Sequence, residues 1–228
     1  MNHIISLNNL KSVNPKELGS KGSSIAKILN QNLDTPDGFI VPCSVFLDSL
    51  GDQIELFSRR IQNINSDDFH LVDEISEFAY KNISRLKIHQ KFLSEIESEY
   101  SRIGEGAVSV RSSSVSEDLV GVSFAGQYRT ELNVCGVENI ADAILRVWAS
   151  TFSSSVISYR IQHNLLNAPY DMAVLIQKQL NPNVSGVMFT RNPINGDKRL
   201  IVSAAYGVGE GVVTGEAESD HFEMDYED

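Results

Sequence analysis

Cysteine, tryptophan and proline are scarce in this sequence, at two, one and six residues of 228. Two cysteines far apart, Cys43 and Cys135, cannot form the dense disulfide framework of a small secreted scaffold, and they stand in no metal-ligand spacing. They read as two buried free thiols in a reducing cytoplasm, and no zinc, iron–sulfur or other metal site is expected among these residues. No apolar run approaches the roughly 18 residues that a membrane helix needs. The opening segment MNHIISLNNLKSVN lacks a charged start followed by an apolar core, so no signal peptide is expected and the location read from the sequence is cytoplasmic. Basic residues are also in deficit: 19 Lys and Arg against 30 Asp and Glu leave a net charge of −11. That balance argues against nucleic acid as a main partner, because a phosphate backbone calls for a basic footprint. A mononucleotide is still compatible, provided a few cations are focused in one cleft.

What is present is ordinary globular material, 42% hydrophobic and 21% charged. The length suits one large domain or two small ones. Residues 19–22 read as a glycine-containing loop that enters a helix carrying Ile25, Ile28 and Leu29 at helical spacing. Thr35-Pro36-Asp37-Gly38 reads as a turn, and Phe39-Ile40-Val41 as a short buried strand. Residues 44–103 show apolar positions at three- and four-residue steps, as in Leu71, Ile75, Phe78 and Ala79, and predict helices. From Ala107 the texture becomes β-prone. Strands are expected at 107–111, 128–134, 172–180, 185–190 and 199–205, with helices at 137–152 and 154–163. The last strand runs into a glycine-rich turn at 206–211. Strands mixed with helices indicate an α+β or α/β fold around one mixed sheet.

Four short segments could carry chemistry. In Gly19-Ser20-Lys21-Gly22-Ser23, glycines ahead of a helix would let backbone amides approach an anion, with Lys21 as a mobile cation. The spacing is not that of a Walker A loop, and a helix cap with a solvated lysine fits equally well. Ser109-Val110-Arg111-Ser112-Ser113-Ser114 puts an arginine at a strand end with hydroxyls after it, a set able to hold phosphate oxygens. Pairing of Arg111 with Glu117 or Asp118 is the alternative. Ser123-Phe124-Ala125-Gly126-Gln127 could close over phosphates or be a plain hairpin turn. Val174 to Leu180 could offer backbone groups to an adenine edge or simply be a core strand. No nucleophile–base pair stands out, and the five histidines are scattered.

The order of these motifs resembles a known family. Gly19-Ser20-Lys21-Gly22-Ser23-Ser24-Ile25 resembles G-G-K-G-A-S-L, and Pro36-Asp37-Gly38-Phe39 resembles P-x-G-F. Val110-Arg111-Ser112-Ser113-Ser114 with Glu117-Asp118 resembles V-R-S-S-A-x-x-E-D, and Ser123 to Gln127 with Leu132-Asn133-Val134 resembles S-F-A-G-Q…L-N-V. Trp148-Ala149-Ser150, Tyr159-Arg160, Ser185 to Thr190 and Gly207-Val208-Gly209-Glu210 continue the series. The chain is thereby similar to the nucleotide-binding region shared by phosphoenolpyruvate synthase (pyruvate, water dikinase), pyruvate phosphate dikinase and rifampicin phosphotransferase. Ser20 and Ser114 depart from the family's usual glycine and alanine.

The resemblance implies an α+β, ATP-grasp-like nucleotide-binding fold with a helical subdomain, truncated after its first part. Residues 1–43 and 104–228 would form the nucleotide-binding lobes and 44–103 a helical insertion. The rest of the ATP-grasp fold, a phosphohistidine domain and any substrate barrel would lie beyond residue 228. It implies ATP and Mg2+ as cofactors, the metal held mainly by groups outside these residues. Lys21 and Arg111 would contact the ATP phosphates as catalytic cations. Gly126 would belong to the covering loop, with Thr130 just behind it, and Gln177 would line the adenine pocket near the backbone of Gln179 and Leu180. The implied partners are ATP, a phosphohistidine domain in cis or in trans, and a small-molecule acceptor such as pyruvate or an antibiotic hydroxyl. A non-catalytic nucleotide-binding module is the reading from another class.

Overall fold

Residues 38–41 and 173–178 are apolar runs too short for helices and rich in β-branched side chains, which favours buried strands. In a computed structural model, which describes residues 3–64, 68–118, 127–209, 211–212, 215 and 218–226, they form the centre of a five-stranded sheet. Its strands are β1 (Ile5–Ser6), β2 (Gly38–Val41), β3 (Val108–Ser113), β4 (Thr130–Val134) and β5 (Ala173–Lys178). The order across the sheet is β1-β2-β5-β3-β4, with every neighbouring pair antiparallel.

Alternation sends successive side chains to opposite faces, and the register fixes which residues share one. Phe39, Val41, Val108, Val110, Val174 and Ile176 enter a large core. That core is shared with α2 (Cys43–Leu50), α3 (Asp52–Gln62), α4 (Phe69–Ile83), α5 (Gln90–Arg102), α6 (Val137–Ser150) and α7 (Ser154–Gln162). Ile40, Ala173 and Leu175 face the other way, against Leu7, Leu10 and Leu18 and the apolar side of α1 (Pro15–Asn30). The helices between Cys43 and Arg102 thus bury their apolar stripes in the same core as the sheet.

Helix boundaries follow capping chemistry. Asn14 accepts the Lys16 amide with Pro15 in the first turn of α1, Asp68 accepts the Leu71 amide, and Ser153 accepts the Val156 amide. α1 therefore begins four residues before the glycine segment that the sequence suggested as a loop. Gly19 breaks the helix internally, at φ 67° and ψ −175°.

The turn at 36–38 is stitched to its surroundings. Arg102 donates to both Asp37 carboxylate oxygens (2.8 and 3.0 Å) and to the Gly38 carbonyl (2.9 Å). A Cβ on Gly38 would lie 2.0 Å from the Ile176 carbonyl oxygen, so only glycine lets β2 approach β5 here. The arginine hydrogen bonds hold the Asp37 carboxyl below its usual range, overcoming the opposing effect of burial.

Residues 180–228 form a second compact unit, separate from 1–179. It contains an antiparallel meander of β6 (Val184–Phe189), β7 (Arg199–Tyr206) and β8 (Asp220–Asp225). Strand β8, with its charged composition, was not apparent from the sequence.

Candidate nucleotide-phosphate site

The serine run that ends β3 is the structural hinge of the site. Strand alternation and register place Ser109, Arg111 and Ser113 on the face that α1 covers, in line with Gln177, Leu175 and Ala173 of β5. The Ser113 hydroxyl donates to the Leu18 carbonyl (2.7 Å) and accepts the Gly22 amide (3.0 Å). The Ser20 amide donates to the Ser114 carbonyl (3.1 Å). Ser113 therefore caps, from another strand, the helical segment that restarts after Gly19 and would otherwise leave amides unsatisfied. A Cβ on Gly19 would sit 1.7 Å from the Ser113 carbonyl oxygen. The glycine is required both by its positive φ and by this contact.

This geometry revises one sequence expectation. Two amides of the 19–23 segment are not offered to an anion, because Ser113 and Ser114 already accept them. The Lys21 side chain is half-buried between the two tie points. Arg111 lies two residues before Ser113 on the same strand face, roughly 7 Å back along the strand. Its cross-strand partners are Thr130 on β4 and Leu175 on β5. Arg111 and Thr130 thus share one face of the sheet, and α1, which carries Lys21, packs on β3 and β5.

Arg111 differs from the other arginines around it. Arg102 pairs with Asp37 and Glu99, and both Arg129 and Arg146 pair with Glu131. Arg160, 1% exposed, donates to the carbonyls of Leu165, Ala168 and Pro169 and stacks on Tyr170 at 3.9 Å. It is a structural cation that ties the 165–169 loop to α7. Arg111 is half-buried, and among the described residues no carboxylate pairs with its guanidinium. A partly desolvated guanidinium without a carboxylate neighbour favours an incoming anion, most strongly one that can accept two parallel N–H bonds.

The other expected residues are placed less openly. Gly126, with Ser123, Phe124 and Ala125, lies outside the described residues. Thr130 is exposed at the start of β4. Gln177 is 4% exposed, and its side-chain amide donates to the Pro36 carbonyl (3.0 Å). It anchors the 36–38 turn against β5. The Gln179 amide is taken by the Ala107 carbonyl (2.9 Å).

Asp171 was missed by sequence reasoning. One carboxylate oxygen accepts the Ser114 hydroxyl (2.7 Å) and the Val115 amide (2.6 Å), and the other accepts the Ser116 hydroxyl (2.9 Å). The Ser116 amide in turn donates to the Ser114 oxygen (3.0 Å). A lone aspartate before a strand carries no local signal, because its partners lie 55 to 57 residues away.

Cys43, at the start of α2, is packed nearby. Burial pushes its thiol up to about 12, helped by the negative charges of Asp171 and Glu17. Cys135 is exposed, contrary to the expectation of two buried thiols. It follows a strand end and precedes Gly136, where no apolar layer covers it.

The donor set around Lys21 and Arg111 is cationic and hydroxylic. Both oxygens of Asp171 are engaged, and the Glu17 carboxylate accepts the Ser44 amide (3.0 Å). Among the described residues no group of three or more His, Cys, Asp or Glu side chains could hold a metal ion. A cavity of about 310 Å³ bordered by His3, Asp48, Lys87, His89, Phe92 and Trp148 lies among the helices of the larger core and includes none of the residues above. Among the described residues no helix is long and apolar enough to cross a membrane.

An arginine at a serine-rich strand end on an α+β sheet is a set able to hold phosphate oxygens. Comparison with known proteins makes this specific: residues 15–228 match the pyruvate phosphate dikinase AMP/ATP-binding domain, and the chain belongs to that family. It is 32% identical over 216 residues to a probable phosphoenolpyruvate synthase of Archaeoglobus fulgidus, covering 91% of this chain and 29% of that protein. It is 36% identical over 209 residues to an uncharacterized phosphotransferase of Bacillus subtilis, covering 90% and 23%. A rifampicin phosphotransferase of Bacillus cereus is 31% identical over 212 residues, covering 91% and 24%. The chain spans about a quarter to a third of the length of these curated relatives. The domain is ATP-grasp-like, as its motifs implied, and its sheets are antiparallel throughout.

Proposed function

We propose that this chain is the ATP-binding portion of a phosphoenolpyruvate synthase-like phosphotransferase. The phosphoryl group of ATP would pass to a histidine on a swivelling domain and then to a small acceptor such as pyruvate. The observation that carries the reading is Arg111: a half-buried guanidinium with no carboxylate partner among the described residues, on the strand whose end receives the Lys21 segment. Lys21 and Arg111 contact the ATP phosphates and neutralise charge on the transferred group, so their role is positioning and electrostatic stabilisation. Gly126 belongs to the loop that covers the phosphates, and Thr130 stands behind it. Gln177 serves the adenine end through the strand it anchors. Mg2+ accompanies the nucleotide and is held mainly by groups outside these residues.

A second acceptor class is supported by the rifampicin phosphotransferase of Bacillus cereus, whose identity of 31% is close to the 32% of the Archaeoglobus protein. On that reading the phosphoryl group goes to an antibiotic or another hydroxyl-bearing metabolite. The two readings share the nucleotide site and differ only in what lies after it.

Calorimetric titration of the 228-residue chain with ATP tests the shared part. Binding is expected in the high micromolar to millimolar range, roughly −4 to −6 kcal/mol, and weaker at high salt because exposed ion pairs are screened. Arg111→Ala should remove charge-assisted contacts worth about 1.5–3 kcal/mol each. Lys178→Ala, an exposed strand tip, should leave affinity unchanged. Equal losses in the two variants would reject the assignment, as would an Arg111→Ala chain that binds ATP like the wild type.

A further inference from the structure

The Lys21 segment of α1 and the strand that carries Arg111 are joined at Ser113 and Ser114. The Ser114–Ser116 turn continues the strand that carries Arg111. Ser113 and Ser114 are also the residues on which the Lys21 segment is seated, through the Gly22 and Ser20 amides. The Ser114 and Ser116 hydroxyls and the Val115 amide converge on Asp171, and Ser114 and Ser116 are 1% and 5% exposed. Asp171 precedes β5, which pairs with β3 up to Ser113↔Ala173. The carboxylate thus fixes the exit of β3 to its neighbouring strand at the point where the two cation-bearing elements are joined.

We propose that Asp171 is the positioning residue of the nucleotide-phosphate site: it braces the Ser114–Ser116 turn and so sets the separation of Lys21 and Arg111. The inference rests on the phosphate-binding reading of those two cations. Asp171 touches neither nucleotide nor metal in this role. Remove the carboxylate, and three donors, two of them on buried serines, lose their acceptor and must turn toward water. The turn then samples several arrangements, and the two cations no longer converge on one phosphate chain.

The ratio of affinities for ATP and AMP isolates this effect, because the two ligands share the adenosine end and differ in the phosphates that the cations would grip. The 228-residue chain is titrated with each ligand as wild type, Arg111→Ala, Asp171→Ala, Asp171→Asn and Ser116→Ala, with circular dichroism confirming the fold of each. Arg111→Ala is expected to bring the ratio close to unity. Asp171→Ala should lower it about fivefold, with AMP affinity held within about twofold, a change the size of one hydrogen bond. Asp171→Asn keeps an oxygen for the Ser114 and Val115 donors and should recover most of the ratio. A merely structural role would lower the melting temperature and weaken both ligands together, leaving the ratio intact.

If Arg111→Ala collapses the ratio while Asp171→Ala preserves it, the positioning role is overturned and the phosphate-binding reading stands. A ratio that rises in Asp171→Asn also overturns it, since the carboxylate would then act by repelling phosphates. If the wild type binds no ATP, or Arg111→Ala leaves the ratio unchanged, both readings fall together. Should Asp171→Ala not fold, Ser116→Ala decides, because it deletes only the bond to the second oxygen. A fall of about twofold, within the range for one neutral hydrogen bond, supports the brace, and an unchanged ratio refutes it.

Discussion

Strands β5 and β6 are six residues each, both apolar enough to be recognised as strands, and both paired in antiparallel sheets. The first is buried along all but its last residue; the second has no buried residue. The difference extends to whole units. Residues 1–179 place helices on both faces of their sheet, whereas none of the described residues in 180–228 is buried. In the meander, Val184, Met188, Val202, Phe222 and Met224 share one face by register, and Met188 and Phe222 remain 60% and 52% exposed. A sheet becomes an independent stable body when something covers its apolar face. The lesson is that strand propensity and pairing are common to both units, while layering separates them.

Core truncation should give the largest contrast. Phe152 is fully buried with its ring 4.9 Å from those of Phe57 and Tyr170. Phe152→Ala should cost about 3–5 kcal/mol in chemical denaturation followed by tryptophan fluorescence. Phe222→Ala should cost less than about 0.5 kcal/mol by the same measurement. Comparable costs would mean that the second unit has a core of its own.

Glycine substitutions sharpen the same contrast. Gly19→Ala combines a positive φ with a Cβ 1.7 Å from the Ser113 carbonyl, and should lose at least about 2 kcal/mol. Gly207 also has a positive φ, of 84°, but a Cβ there would meet nothing within 4 Å. Gly207→Ala should cost only about 1 kcal/mol. A thermal melt in which Gly207→Ala is the more damaging of the two would undo the argument that close packing, and not backbone conformation alone, selects Gly19.

Acid sensitivity should also belong to the first unit. Burial alone would raise the Glu131 carboxyl, but hydrogen bonds from Arg146 and Arg129 outweigh it and hold the group below its ordinary value of 4.5. A depressed folded value means that the stabilisation is complete above the unfolded value and is lost as pH falls through the folded one. Melting temperature should therefore fall as pH is taken below about 4.5, the ordinary value for glutamate. Glu131→Gln should flatten that part of the profile, and an unchanged slope would remove Glu131 from the account.

The smallest effect is a rate. With its thiol buried and raised to about 12, Cys43 should resist iodoacetamide at pH 8 while exposed Cys135 is alkylated. Cys43 labelling then reports opening of the first unit and should be indifferent to Phe222→Ala. Equal labelling of both thiols in the native chain would show that α2 does not seal its side of the sheet.

Much of this was legible in the residues. The elements from Phe39 to Tyr206 lie close to their expected positions because their apolar periodicities are long and consistent. Arg111 was legible as a candidate because an arginine at a strand end among hydroxyls is a local pattern. The start of α1 is encoded locally too, by the Asn14 cap and Pro15. Strand β1 is two residues long and β8 carries charges along its length, so neither shows a period.

The family and the α+β class could be read along the chain, because each depends on residue types at short separations. What the serines do is settled by packing across the sheet. Ser113 caps a helix 91 residues earlier in the chain, Asp171 gathers a turn 55 to 57 residues before it, and the amides that looked ready for phosphate are already taken. These outcomes depend on which groups the sheet brings within about 3 Å of one another. No periodicity or spacing along the chain encodes that distance, since it is set by strand order and register, and those emerge only when the whole sheet is paired.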